Sequence, residues 1–204
     1  MTELPTQGVR LLQPHDPVAN FDCGVEELNT YLQRFAWMNQ QANAAVTYVA
    51  VRQEIIGGYF SVAAASAEHA QAPERLKKGL ARHAIPVLLL ARLAVDRRFQ
   101  GVGMGKHLLR EACLLALTLS KLAGIRALVV DAKDARARQF YERFDFQAFP
   151  QTRTGYSYSP RIWRHHRFNS GASIGLKLEN NARDNPRRWS QNETIPANEN
   201  KPAA

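Results

Sequence analysis

Hydrophobic residues recur with two different periods in the first 150 residues of the chain. In residues 22–35 they lie three or four positions apart, which is the period of a helix with one buried face. Asp22 precedes this helix and is predicted to cap it. The apolar positions of the buried face are Val25, Leu28, Leu32 and Phe35.

The other apolar runs before residue 96 are typical of strands. Residues 9–12 predict a first strand, and residues 46–51 and 55–63 are close enough in sequence to form an antiparallel hairpin. A polar stretch follows, with a predicted helix at 73–82. The run PVLLLARLAV, residues 86–95, is apolar at both alternating sets of positions. A strand of this kind is buried on both faces, so we place it at the centre of the sheet.

Three alternating glycines follow that strand in RFQGVGMGKHLL, residues 98–109. Glycine lets a ligand approach the backbone, and the first amides of a helix lack partners, so a strand, a glycine loop and a helix in this order favour phosphate binding. A glycine-rich connection without a ligand is the alternative. The helical period behind the loop consists of Leu108, Ala112, Leu115 and Leu119.

Two common phosphate loops do not fit these residues. A P-loop would have glycine in place of Gln100 and a hydroxyl residue in place of His107. A dinucleotide loop would have its third glycine in place of Lys106, and it would open the first βαβ unit. The pattern Arg/Gln-x-x-Gly-x-Gly/Ala does fit, beginning at Arg98. It resembles the coenzyme A pyrophosphate loop of the GNAT superfamily of N-acetyltransferases.

A second segment strengthens this resemblance. RALVVD, residues 126–131, predicts a strand, and residues 135–144 predict a helix that ends in FYERFDF. In GNAT proteins a tyrosine of an F-Y-x-x-F/L-G-F segment commonly protonates the departing thiolate, and Tyr141 matches that position. A phenol with a pKa of ~10 is protonated at neutral pH and can act as a general acid. The alternative is an aromatic core cluster, to which we assign the neighbouring Phe140, Phe144 and Phe146.

Three strings are similar, in order and spacing, to the TacT-like GNAT toxins: FDCGVEELNTYL, ARLAVDRRFQGVGMG and VDAKDARARQFYERF. The match spans about residues 9–150. This resemblance implies transfer of an acetyl group from acetyl-CoA to the α-amine of an aminoacyl-tRNA, with glycyl-tRNA as the first candidate. It also implies a ribbon-helix-helix antitoxin as inhibitor, and it leaves a homodimer open. The first residues, MTELPTQGVR, lack the basic start and apolar stretch of an export signal, and the cysteines are Cys23 and Cys113, which together predict a reducing, cytoplasmic setting.

The same resemblance implies a coenzyme site with three parts. The backbone of Leu93, Ala94 and Val95 would follow the pantetheine arm, and one of its amides would meet the oxyanion. Tyr141 would be the general acid. The remaining coenzyme-binding positions are Arg98, Gly101, Val102, Gly103, Met104, Gly105 and Lys106.

Composition favours an anionic partner. There are 27 Lys and Arg residues and 18 Asp and Glu residues, a formal net charge of +9. No apolar run approaches the ~20 residues of a membrane span. Five cations are predicted to contact tRNA phosphates: Arg75, Lys77, Lys78, Arg82 and Arg92. Further candidates are Arg34 and Arg97. The alternative for all of them is an ordinary solvated surface. Candidates for either tRNA or the adenosine-side phosphate are Lys133, Arg136 and Arg138.

We therefore predict an α/β GNAT fold with a mixed sheet over residues 1–165 and a mostly disordered, basic tail over residues 166–204. The chain departs from the family pattern twice. Asp145 replaces a glycine but tolerates the left-handed conformation, and after residue 150 no apolar strand is evident, which predicts an incomplete sheet edge. We predict no metal site, because adjacent histidines such as His165 and His166 do not share one face of an element.

Two other functions are compatible with these residues. One is acetylation of a small amine or of a protein amino group. The other is a non-catalytic module that binds the antitoxin and retains only a vestigial coenzyme loop.

Overall fold

The computed structural model describes residues 8–52, 54–149 and the backbone of 155–158. The predicted disordered tail and the domain boundary at residue 165 lie outside these residues. In the part described, no helix is long and apolar enough to span a membrane. The fold class is confirmed: helices pack on a mixed sheet.

In the residues described, seven strands form one sheet in the order β1-β2-β3-β4-β5-β7-β6. Among these described strands, β4 and β5 pair in parallel and the other neighbouring pairs are antiparallel. The apolar run predicted to be central is indeed the fourth of the seven strands. The strands are β1 (Val9–Leu11), β2 (Val46–Arg52), β3 (Ile55–Ala67), β4 (Ile85–Val95), β5 (Leu128–Asp131), β6 (Gln147–Ala148) and β7 (Gly155–Tyr158).

Helices cover both faces of the sheet. The helix α4 connects the parallel strands β4 and β5, and it packs with α5 on one face. The pair α1 and α2, joined by a π-helical turn at Tyr31–Phe35, lies with α3 on the other face. The helices are α1 (Glu26–Thr30), α2 (Ala36–Gln41), α3 (Glu74–Lys77), α4 (Met104–Leu122) and α5 (Ala135–Glu142).

The start of the first helix corrects two predictions. Asp22 is not its cap, since Val25 occupies that position and the Asp22 carboxylate accepts hydrogen bonds from Gly24 and Asn29 instead. Phe35 was expected on the buried face but is 47% exposed. The π-helical turn adds one residue to the helix, which rotates Phe35 outward and leaves the next residue buried.

Three further boundaries differ from the sequence prediction. The helix predicted over 73–82 is only one turn long, because Gly79 adopts φ +77° soon after it. The helix α5 ends at Glu142, and Asp145 takes φ +62°, the left-handed conformation expected of it. The sheet edge is not open after residue 150, since β7 pairs with both β5 and β6.

Candidate active site

The parallel strands β4 and β5 separate at a bulge in β4. They pair only from Leu88 to Leu90 on β4, opposite Leu128 to Val130 on β5. Beyond that, β4 continues to Val95 beside β3 alone, and the register between β3 and β4 shifts by one residue at Ala91. A bulge bends a strand and increases its twist. Beyond Leu90 the edge of β4 on the side of β5 therefore has no paired strand among the described residues, and we call this place the opening between β4 and β5.

The edge of β4 that faces this opening carries backbone groups that no described strand pairs. The amide of Asp96 donates a hydrogen bond to the carbonyl of Gly57 on β3. This bond shows which residues of β4 direct their backbone groups toward β3. In an antiparallel pair, alternate residues direct their N–H and C=O groups away from the partner. The backbone groups of Leu93 and Val95 therefore point into the opening, where an extended ligand could pair with them. The carbonyl of Val95 already accepts a hydrogen bond from the Gln100 side chain. Ala94 lies between them and points toward β3.

The glycine loop, residues 98–106, follows the C-terminal end of β4 and leads into α4 beside the opening. Gly101 and Gly103 have φ values of +76° and +90°, and Gly103 is the residue that precedes α4. The first α-helical bond runs from the amide of His107 to the carbonyl of Gly103, so the amides of Gly103, Met104 and Gly105 project from the helix end. Gly101, Val102, Gly103 and Lys106 are exposed, while the Met104 side chain is buried.

Two glycines of β3, Gly57 and Gly58, let the start of α4 approach the sheet. A Cβ on Gly58 would lie 2.7 Å from Leu108 of α4 and 2.9 Å from the carbonyl oxygen of Ala94. Sequence reasoning did not identify this pair as part of the site. A signal was present, since glycine inside a strand often marks a close approach of another element.

A buried aspartate fixes the backbone just before the glycine loop. Asp96 is 1% exposed, and its carboxylate accepts hydrogen bonds from the amides of Asp22 and Arg98 and from the Arg98 guanidinium. Burial opposes ionisation, but these bonds prevail and lower the pKa of Asp96 to about 2. The Arg98 side chain, predicted to bind coenzyme, is thus held by Asp96 and the carbonyl of Asn20.

Tyr141 is placed beside this loop by α5. Asp134 caps α5 by accepting from the amide of Ala137, and Tyr141 in its last turn is 7% exposed. Burial raises the pKa of Tyr141 well above its usual value. Its ring lies 5.3 Å from that of Phe140, and a Cβ on Gly105 would be 3.7 Å from the Phe140 ring. One aromatic ring therefore separates Tyr141 from the start of α4.

Three phenylalanines form the packing around Tyr141, as predicted. Phe140 and Phe144 have ring centroids 5.2 Å apart, and Phe146 is 4% exposed and lies 5.4 Å from Tyr141. The Tyr141 hydroxyl has no hydrogen-bond partner among the described residues. Because the phenylalanine rings carry no polar atom, this hydroxyl is the group of the cluster that can donate a hydrogen bond.

A cleft of about 300 Å³ lies on the opposite face of the same strands. Its floor consists of aliphatic side chains of β3, β4 and β5, including Ala65, Leu89 and Val129, and its rim includes Glu68 and Asp131. Leu89 and Asp131 are close to the level at which β4 and β5 separate. The cleft thus reaches the opening from the face opposite α4 and α5.

Arg92 is the predicted tRNA-binding cation that lies nearest the opening. It follows the bulge on β4, and its guanidinium lies 3.7 Å from the ring centroid of Tyr31 in the π-helical turn. Such a contact holds a cation in place without neutralising it. Arg92 therefore presents a fixed positive charge on the same face as the cleft.

The other predicted tRNA-binding cations lie in and after α3, below the cleft. Lys77 pairs with Glu74, and the guanidinium of Arg126 donates to the carbonyls of Leu76 and Lys78, which ties α3 to the start of β5. Among the alternative cations, Arg97 pairs with Asp22 and Arg138 with Glu142. The cations in and after α3 are Arg75, Lys77, Lys78 and Arg82.

Comparisons with known proteins show the family of the chain. The acetyltransferase (GNAT) domain profile matches residues 43–148. A tRNA-acetylating toxin of Mycobacterium tuberculosis is 37% identical over 141 residues, which cover 69% of this chain and 84% of that toxin. A probable toxin TacT of Sinorhizobium fredii is 24% identical over 155 residues, covering 69% of this chain and 86% of that protein.

Solved structures are similar over the same region. The structure of AtaTR bound with acetyl-CoA matches with a TM-score of 0.67 and 26% identity, covering 77% of this chain and 95% of the other. AtaT complexed with acetyl-methionyl-tRNAfMet matches with a TM-score of 0.71 and 24% identity, covering 77% and 96%. The second likeness concerns the fold alone.

Proposed function

The chain belongs to the GNAT family of acetyltransferases, and on that premise we propose that it transfers the acetyl group of acetyl-CoA to the α-amine of an aminoacyl-tRNA. That it is an acetyl-CoA-dependent acetyltransferase follows from the family. The observation that carries the tRNA acceptor is the 37% identity to a tRNA-acetylating toxin over 84% of that protein's length.

The coenzyme is assigned to the opening between β4 and β5. The amides of Gly103, Met104 and Gly105 and the positive end of the α4 dipole suit a diphosphate. The backbone edge of Leu93 and Val95 suits the amide groups of the pantetheine arm. With the coenzyme held in this way, the thioester carbonyl would lie near the bulge, where the Leu93 amide would donate to the developing oxyanion.

The chemistry needs little beyond placement. An α-amine has a pKa of ~8, so an appreciable fraction is neutral and nucleophilic near pH 7 without a strong base. The neutral nitrogen attacks the thioester carbon, the C–S bond breaks, and the thiolate of coenzyme A receives a proton. We assign that proton to the Tyr141 hydroxyl, which its burial keeps protonated at neutral pH. The nitrogen of the new amide releases one proton to solvent, from which the acid is protonated again.

The acceptor is assigned to the opposite face. Its aminoacyl end would occupy the cleft at Leu89 and Val129, where the rim carboxylates of Glu68 and Asp131 attract an ammonium group before it loses its proton. Arg92 would contact a phosphate near the acceptor's 3′ end, and the cations of α3 would contact phosphates further along.

Regulation and location are proposed by likeness to the relatives. A structure of the AtaT Y144F mutant toxin bound to the C-terminus of the antitoxin AtaR matches this chain with a TM-score of 0.66. We propose that an antitoxin of the ribbon-helix-helix type inhibits this chain in the cytoplasm, where charged tRNA is found. A homodimer is compatible with the same proposal.

Labelled acetyl-CoA and total aminoacylated tRNA provide the test. We expect label on charged tRNA and none on the same tRNA after deacylation. Mild alkaline release and chromatography of the acetylated amino acid would then identify the acceptor, with glycine as the first candidate. Label on small amines or proteins would favour the second enzymatic function, and no transfer to any acceptor would favour the antitoxin-binding module.

A further inference from the structure

We propose that the segment at residues 20–24, together with Asn29, is a positioning clasp that holds the glycine loop in its coenzyme-binding conformation. The proposal rests on the assignment of acetyl-CoA to that loop. This segment opens FDCGVEELNTYL, a string to which the acetyl transfer chemistry gives no role. It lies about 75 positions before the loop in sequence.

The clasp is bonded to the turn at Arg97–Phe99 by backbone and side-chain contacts. The amide of Asp22 donates to Asp96 Oδ2 at 3.0 Å, and the amide of Arg97 donates to the carbonyl of Asp22 at 2.8 Å. Nη2 of Arg98 donates to the carbonyl of Asn20 at 3.1 Å. Nη1 of Arg97 pairs with Oδ2 of Asp22 at 3.2 Å. The turn before the glycines is thus fixed from outside its own strand.

Gln100 adds a bond immediately before Gly101. Its Nε2 donates to the carbonyl of Cys23 in the clasp and to the carbonyl of Val95 at the end of β4, each at 3.0 Å. One side chain therefore joins the clasp, the open edge of β4 and the start of the glycine loop.

The clasp is itself rigid. Asn29 is 8% exposed, and it accepts from the amide of Cys23 at 2.9 Å and donates to Asp22 Oδ1 at 2.9 Å. Gly24 has φ +85°, and a Cβ there would lie 2.9 Å from Arg97 Nε, so glycine allows the clasp to touch the turn. These contacts explain why Asp22 does not cap α1.

Rigidity matters here because glycines do not hold a conformation by themselves. Gly101 and Gly103 have nothing in their own structure that favours φ +76° and +90° over other angles. A loop that must be ordered on binding loses affinity, whereas a loop ordered beforehand does not. The clasp orders the loop through hydrogen bonds that run from the Asn20 contact with Arg98 to the Cys23 contact with Gln100. Its residues position the loop without contacting the reacting atoms.

The test compares Asp96→Asn and Gln100→Met with the matched control Asp16→Asn. Asp16 also has its carboxylate bonded by an arginine, Arg10, and by a backbone amide, but it lies near β1 at the outer edge of the sheet. For each variant, calorimetry gives the Kd for acetyl-CoA, steady-state kinetics give KM and kcat, and a thermal melt reports folding.

Asp96→Asn and Gln100→Met each remove a contact between the clasp and the glycine loop. We expect both variants to raise the Kd and KM for acetyl-CoA by about tenfold or more, because small misplacements of a binding group have effects of this order. The value of kcat at saturation should change by less than about threefold. Asp16→Asn should leave the Kd within about twofold, even where its melting temperature falls as far as that of Asp96→Asn.

If Asp96→Asn does not fold, Gln100→Met tests the proposal alone. Gln100 is exposed, and methionine keeps the length of the side chain while removing the hydrogen-bond donor. Unchanged affinity in a folded Gln100→Met variant would overturn the proposal, and so would a fall in kcat with KM unchanged. Failure of the loop assignment has a different signature: Gly103→Asp would then bind acetyl-CoA as the wild type does.

Discussion

Replacement of Tyr141 by phenylalanine separates the chemical role of its hydroxyl from the packing of its ring. The ring contacts Phe140 and Phe146, with centroids 5.3 and 5.4 Å away, and both contacts persist in the variant. The hydroxyl has no hydrogen-bond partner among the described residues, so its loss should change the free energy of unfolding by no more than about 1 kcal/mol. A general acid contributes roughly 10²- to 10⁴-fold to a rate, which is about 3–5 kcal/mol of activation free energy.

Release of the free thiol of coenzyme A measures this effect. We expect Tyr141→Phe to lower kcat by two to four orders of magnitude, in keeping with the range above, while the Kd for acetyl-CoA stays within about twofold. Tyr48→Phe makes the same chemical change in a tyrosine of β2 that stacks on Phe60, and it should be silent. A Tyr141→Phe enzyme with a kcat near that of the wild type would refute the assignment.

The pH profile of the wild-type enzyme gives a second check. Burial raises the pKa of Tyr141, so the acid form persists through the neutral and moderately alkaline range. The rate should rise as the acceptor amine, with a pKa of ~8, loses its proton, and then reach a plateau. A decline in rate between about pH 8 and pH 9.5 would show that a group with a lower pKa than a buried phenol supplies the proton.

Four other changes test separate parts of the structure. Gly103→Asp should weaken acetyl-CoA binding by more than about a hundredfold, measured by calorimetry, because like charges facing across a contact cost several kcal/mol. Arg92→Gln should raise the KM for aminoacyl-tRNA but not for acetyl-CoA, and the slope of log affinity against log salt should fall by about one. Gly58→Ala should lower the free energy of unfolding by about 1–3 kcal/mol in a urea titration, whereas Gly8→Ala, with nothing within 4 Å, should not. Because the pKa of Asp96 is lowered to about 2, its ionised form contributes about 2 kcal/mol above pH 4, and this stabilisation relative to Asp96→Asn should disappear as the pH falls from 4 to 2.

The parts of the fold predicted from sequence are those with a strong local signal. The central strand β4 has a long apolar run with Arg92 as its charged residue, and α4 has a regular helical period behind its glycines, so both were placed correctly. Asp145 was also expected in the left-handed conformation, because the family has glycine there and aspartate tolerates those angles.

The errors arise where distant contacts override local preference. Asp22 resembles a helix cap in sequence, but Asn29 and Arg97 draw its carboxylate away from that role. The π-helical turn that exposes Phe35 leaves no mark in the hydrophobic period before it. The strand β7 lacks an apolar pattern in its sequence. Its backbone pairing with β5 and β6 places it in the sheet, and such pairing cannot be predicted from the local sequence.

The site was predicted in part. The glycine loop and Tyr141 were identified from motifs, and the structure brings them together through Phe140. The residues that hold the loop in place were missed. Asp96 could have been found, because an aspartate just before a short turn is a typical cap. Gln100 could not, since its two acceptors are separated from it in sequence by 77 and 5 positions.

The most direct test of the central claim, that the start of α4 binds the diphosphate of acetyl-CoA while β4 aligns its thioester, is an amide NMR titration of the ¹⁵N-labelled chain. Acetyl-CoA should shift the amides of Gly103 and Gly105 together with that of Leu93, and acetyl-pantetheine, which lacks the diphosphate, should shift Leu93 but neither glycine. Tight binding of acetyl-CoA that leaves Gly103 and Gly105 unmoved would contradict the account.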